Sequence, residues 1–235
     1  MTMTRIGTWG AIAGSVAVAV APLGHRIGLL PLGLAFALVA LGFLVLVVGA
    51  LLLVVAAVRR RIPPGTERLT YGALAAAVIV SLFPLSALLS GGGAPPIHDI
   101  TTDTENPPAF VAAVALNAPG RTEYEGEAVA EQQRAAYPDI APVTLTVAPD
   151  AAFDRALATV ERMGWDILDS DAAGGRLEAT DRTFWFGFSD DVVVRITDTG
   201  DGGSRVDVRS LSRVGVGDLG ANANRVRELL AALAE

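Results

Sequence analysis

The chain has 235 residues, is 51% hydrophobic with a mean hydropathy of +0.46, and contains neither cysteine nor lysine. Those two absences exclude disulfides, thiol catalysis, cysteine–metal sites, Schiff-base chemistry and a phosphate loop built on lysine. Twelve of the 18 basic and 24 of the 25 acidic residues follow residue 90, a net charge of −12 there that repels nucleic-acid phosphates and anionic headgroups and rules against nucleic acid as a partner.

The first ninety residues read as a membrane anchor. Ile6 to Leu23, Ile27 to Val58 and Leu69 to Leu89 carry no charged side chain. A hydrocarbon core of about 30 Å needs ~20 apolar residues of helix, so three spans are expected. The second run is longer than a crossing needs; it tilts, or starts late, near Leu32. Arg59, Arg60, Arg61 and Arg68 lie between spans two and three, Arg5 precedes span one, and only Arg26 lies between spans one and two. The positive-inside rule places the N-terminus and the 59–68 loop in the cytoplasm and everything after Ser90 outside. Trp9 and Tyr71 stand at the cytoplasmic ends of their spans, as interfacial aromatics do. A rival reading makes residues 1 to 21 a cleaved signal peptide ending Ala19-Val20-Ala21; Pro22 and the single preceding positive charge argue against it. The spans hold no ionisable residue to mark a transport path, so they serve as an anchor. Gly10 and Gly14 form a small-residue spacing suited to helix packing.

Residues 91–108, opening Gly91-Gly92-Gly93-Ala94-Pro95-Pro96, read as a flexible linker, and 109–235 as one acidic domain. Glu125 to Ala136 has helical character and Tyr137-Pro138 stops it. Val143, Leu145 and Val147 alternate as in a strand. Asp150 is placed to cap a helix carrying Phe153, Ala156, Leu157, Val160 and Met163, which Gly164 ends. Trp165 to Leu168 is a short strand, and Arg176 to Phe188 is either one longer strand with a bulge or bend near Asp181-Arg182-Thr183 or two strands. Val192 to Thr197 and Ser204 to Val214 follow, with Val206 and Val208 inward and Arg205, Asp207 and Arg209 outward. Gly217-Asp218 opens a last helix with the stripe Leu219, Asn222, Ala223, Val226, Leu230 and Leu233. The order β-α-β-β-β-β-α is α+β, one antiparallel sheet with its helices on one face.

The run Thr183 to Arg195, the run Arg209 to Gly215 continued by Asp218 to Asn222, and Tyr137-Pro138-Asp139-Ile140 together resemble the family catalogued as domain of unknown function 1499, over roughly residues 97 to 235. A cysteine motif that many members carry near the start of the domain is absent here. The resemblance implies domain boundaries and bacterial envelope placement and carries no activity with it; the arginine-only, alanine-rich usage resembles that of a high-GC bacterial genome, a matter of origin alone. The element order is similar to that of helix-grip modules, an analogy of fold alone.

Two groups stand out as candidate sites. Phe184, Trp185, Phe186 and Phe188 concentrate the domain's aromatics; on a regular strand Trp185 faces away from the other three. They form either a partner-facing apolar patch or, by the larger prior, sheet core. Ser210, Ser212, Arg213, Asp218, Asn222 and Arg225 place polar groups where the pattern expects apolar ones, so they bind something or clamp the last helix to the sheet, the reading favoured here. Asp198 and Asp201 fit a hairpin turn better than a calcium loop, and Asp190-Asp191 a solvated strand entry. No histidine lies after His98, which argues against a Ser-His-Asp triad or a histidine metal site in the domain. No cofactor is expected. The expectation is a multi-pass inner-membrane protein with its C-terminal domain in the periplasm, held in the lipid bilayer and binding an envelope protein or lipid-like ligand without catalysis. The competing reading is a carboxylate-dependent hydrolase of envelope polymers.

Overall fold

A computed structural model describes residues 2–91 and 93–234, with side chains omitted at 83 and 87–91. Gly92, in the expected linker, lies outside the described residues. The chain divides into two compact units, Met1–Leu89 with Phe184–Gly187, and Ser90–Thr183 with Phe188–Glu235.

The first unit has three helices long and apolar enough to cross a membrane, α1 (Thr2–Arg26), α2 (Leu32–Val58) and α3 (Glu67–Gly91). The second starts at Leu32, as its excess length suggested. Helix α1 lies against α2 through glycines: a Cβ on Gly14 would meet the Leu46 N at 2.4 Å, and one on Gly49 the Ala11 N at 2.4 Å. Gly7 and Gly14, and Gly42 and Gly49, are seven residues apart, two helical turns, so each pair repeats on one face. Gly10, read as part of a small-residue spacing, also faces Gly49, but with room to spare, its Cβ 3.6 Å away. Ala73 and Ala77 bring α3 into the same core. Within this unit the Phe186 ring stands 5.0 Å from that of Phe36, and Arg26 donates to the Phe184 carbonyl.

The second unit is an open antiparallel sheet with two helices on one face. Its strands are β1 (Asp99–Thr101), β2 (Val143–Leu145), β3 (Asp166–Asp171), β4 (Arg176–Arg182), β5 (Ser189–Asp198) and β6 (Ser204–Ser212). The order is β1-β6-β5-β4-β3, and β2 also pairs with β6. The edge strand is thus split: β1 covers Arg209–Leu211 and β2 covers Ser204–Val206. Helices α5 (Pro149–Arg162) and α6 (Ala221–Ala234) bury Phe153, Ala156, Val160, Ala223, Val226, Leu229 and Leu233 against Leu177, Ala179, Val192, Val194, Val206 and Val208. Helix α4 (Glu127–Ala136) adds Val129. The α+β class and the β-α-β-β-β-β-α order hold, with β1 and α4 added in front.

Four expectations are corrected. First, the stretch read as flexible linker contains β1, whose residues are buried; three residues with no visible period are too short a strand for a sequence pattern to reveal. Second, β4 ends at Arg182 and the aromatic run is a hairpin loop, closed by Thr183 N donating to Phe188 O, 2.9 Å. The rings share no strand face, and Phe184 is 69% exposed. Third, the face read as outward is covered: Asp207 and Arg209 are buried, and Phe110 and Ala113 pack on Val193 and Leu211. The covering segment, residues 103–124, has only a 3-10 turn at Ala113–Leu116 and hence no periodicity. Fourth, α5 starts at Pro149 with Ala148 at the cap, so Asp150 lies inside the first turn; α6 starts at Ala221, and its stripe runs through Arg225 and Leu229 while Leu219 is 58% exposed.

Candidate functional site

β4 ends, β5 begins and β6 ends at the same end of the sheet, because Arg182 pairs with Ser189 and Asp190 with Ser212. Polar side chains converge there from both faces. On the helix-covered face, Asn222 sits fully buried in the first turn of α6. Its Nδ2 donates to the His98 carbonyl and to Ser212 Oγ, both 2.9 Å, and its Oδ1 accepts from Ser210 Oγ (2.6 Å) and Arg225 Nη1 (2.6 Å). Arg225 reaches Asp190 through Nη2 (2.8 Å) and Asp181 through Nε and Nη2 (2.9 and 2.8 Å). The residues come from β4, β5, β6 and α6, so this network fixes α6 on the sheet. Asp218 holds the turn before α6: Oδ1 accepts from Gly220 N (2.8 Å) and Oδ2 from Asn222 N (2.7 Å). The clamp reading is what the geometry gives for Ser210, Ser212, Asp218, Asn222 and Arg225.

Arg213 does not join them. As an odd residue of the β6 register it points to the opposite face, where Nε and Nη2 bind Asp191 at 2.9 and 2.7 Å and Nη2 also reaches Thr180 Oγ1, 2.9 Å. On that face Arg209 pairs with Asp99 (2.9 and 2.7 Å) and lies over the rings of Phe110 and Tyr124. Glu178, fully buried, accepts from the backbone N–H groups of Val111, Ala112 and Ala113 and so shapes the covering segment. Phe184 and Trp185 belong to neither group; their rings meet edge to face at 5.2 Å in the hairpin loop.

Asp190 and Asp191 are therefore not a solvated strand entry but the acidic halves of two buried ion pairs, 3% and 0% exposed. Burial pushes the Asp190 carboxyl above its ordinary range, against the pull of Arg225 and Ser212. The signal existed: an aspartate pair opens a strand of valines in a domain whose arginines recur on the neighbouring strand and helix, and a buried charge needs a partner. What the sequence lacks is the cover on the second face. The Asp198–Gly203 segment is the expected hairpin turn, with Asp198 Oδ1 accepting from Gly200 N at 2.8 Å.

Beside the clamp the surface opens into a groove of about 330 Å³ lined by Met163, Trp165, Asp181, Asn224, Arg225 and Glu228. Asp181 and Arg225 form its fixed floor; Trp165, half-buried, is an aromatic wall, and the exposed Glu228 stands on its rim. Among the described residues no group of three or more His, Asp or Glu side chains is placed to hold a metal ion.

His98 sets a pH dependence. It is buried beside β1; burial and the positive charge of Arg121 lower its pKa below 6.5, while Glu125, Asp99 and a backbone hydrogen bond oppose the shift. The folded chain thus binds this proton less readily than the unfolded chain. The stabilising contribution is fully present above pH ~6.5 and is lost as pH falls through the folded value. Stability measured from pH 7.5 to 5.5 should fall with pH in the wild type, and His98→Gln should flatten that part of the slope. Equal slopes in both proteins would assign the dependence elsewhere.

No curated protein matches the chain. The family model described as protein of unknown function (DUF1499) matches residues 99–233, more than half of the chain and every strand of the sheet, and the chain belongs to that family.

Proposed function

We propose that this protein is a membrane-anchored envelope protein whose C-terminal domain, outside the cytoplasm, is a non-enzymatic module binding a protein or lipid-like partner in the groove beside Arg225. The observation that carries the reading is the rigid polar floor: Arg225 is held by Asp181, Asp190 and Asn222 at the base of an open groove walled by Trp165. Preorganised polar groups beside an aromatic surface recognise a partner without the cost of ordering side chains on binding. The anchor and the arginines at 59–61 and 68 support placing the N-terminus in the cytoplasm and the domain in the periplasm.

One observation favours the competing hydrolase: Asp181 and Glu228 line the same groove. Asp181, however, is committed to Arg225 through two nitrogens, which leaves Glu228 without a second acid free to exchange a proton. The two readings separate in native membranes. Crosslinking and affinity purification should recover a partner with the wild type and lose it with Trp165→Ala, while envelope polymers incubated with the wild type stay intact. Polymer cleavage that Glu228→Gln abolishes would overturn the binding-module reading.

A further inference from the structure

We infer that the apolar end of the domain, the loop between β6 and α6, dips into the bilayer leaflet to which the chain is tethered. This rests on the anchor reading and is independent of the groove. Val214, Val216 and Leu219 are 48%, 80% and 58% exposed in a loop of eight residues. None of the three belongs to a hydrophobic core cluster of the described residues.

Leu219 carries the argument further. Its φ is +56°, the left-handed region that a branched apolar residue enters at a cost and where glycine or asparagine normally stands. The turn is held by Asp218, whose carboxylate accepts from the N–H groups of Gly220 and Asn222, the first and third residues after Leu219. A strained leucine held outward by a buried clamp serves neither the core nor solubility. It is what a membrane wedge requires.

The chain's own path brings this end to the lipid. Strand β1 runs antiparallel to β6, so the chain enters the domain where β6 leaves it. A Cβ on Gly217 would lie 3.2 Å from the Pro96 Cα. Pro96 is only five positions beyond Gly91, the end of α3, a reach of at most about 18 Å. The headgroup layer adds several ångströms to each side of the hydrocarbon core, so a tip beside Pro96 is within reach of it. Charge agrees locally despite the acidic domain: at the base of the tip Arg121 donates to the neutral carbonyls of Ser212 and Gly215 and forms no ion pair among the described residues, a positive charge suited to phosphate headgroups.

The absence of cysteine makes the test clean. Full-length chain carrying Val216→Cys, labelled with an environment-sensitive fluorophore and reconstituted in phosphatidylethanolamine–phosphatidylglycerol nanodiscs, should show a blue-shifted emission. It should be quenched by lipids bearing a nitroxide near the headgroup and lose most of its quenching by aqueous iodide. Asp201→Cys, at the opposite end of the sheet, should behave in the reverse way, and Leu219→Cys serves where the first label disturbs the loop. If label 216 meets iodide as freely as label 201 while the protein floats with alkaline-washed liposomes, the anchor stands and the wedge is overturned. If the chain does not float with liposomes at all, the anchor reading falls and takes the wedge with it.

Discussion

Arg225→Ala is expected to destabilise the C-terminal domain by about 3–5 kcal/mol, the scale for removing one partner of a buried ion pair. Arg225 is 6% exposed and Asp190 3%, and the guanidinium serves Asp181, Asn222 and Ser210 as well. Truncation strands the Asp190 carboxylate in an apolar setting that already pushes its pKa upward. The protein answers by protonating it or by opening the β5–α6 contact. Amide hydrogen exchange of β5 and β6 in the full chain reads the loss directly, as protection falling by about 10²–10⁴-fold. The double change Arg225→Ala with Asp190→Asn removes the stranded charge and should recover part of the loss. A single variant within about 1 kcal/mol of wild type would show that the clamp contributes specificity to the fold and little stability.

The second large effect is in the unit of three apolar helices. Gly49→Leu should drive α1 and α2 apart, because the first added carbon already meets Ala11 N at 2.4 Å and the carbon of Gly10 at 2.9 Å, both backbone atoms that no side-chain rotation moves. Close backbone approach is what holds helices together where lipid is as apolar as the helix surface, so the loss is not offset by hydrophobic contact elsewhere. A Gly10→Cys, Val45→Cys pair, oxidised in membranes, should crosslink in the parent and fail with Gly49→Leu. Gly33→Leu, on the same helix with open space around its Cβ, should leave crosslinking intact. Crosslinking retained in Gly49→Leu would mean that the helices pair through another face.

The arrangement of charge in the domain explains why the polar site was only half legible. Asn222, Ser210 and Ser212 stood out because they interrupt an apolar period, and the structure brings them together with Arg225. Arg213 was grouped with them by nearness in sequence, but β-strand alternation sends it to the other face. Asp190 and Asp191 read as a solvated strand entry and Asp99 fell in the expected flexible linker, while no pattern marked Glu178. They are buried because residues 97–124 fold over the edge and second face of the sheet, and that segment carries no repeat to announce it. Phe184 to Phe188 misled in the opposite sense: the aromatics promised a strand in the core, but Gly187 takes φ +68°, and Thr183 and Phe188 close a loop.

The sequence by itself determined the features that depend on local period or gross composition. These are three apolar helices, the split between an uncharged first part and an acidic second part, the strand–helix order of the domain, and the family. Each follows from side chains a few residues apart, where burial of one face dictates the spacing. Tertiary structure decided what depends on partners distant in the chain. Strand β1 exists only because β6 offers it an edge, and the ion pair of Asp99 with Arg209 joins residues 110 positions apart. Asn222, in the first turn of α6, donates to the carbonyl of His98, 124 positions away. No window of sequence holds those contacts, because a charge reads as surface until the segment that covers it is in place.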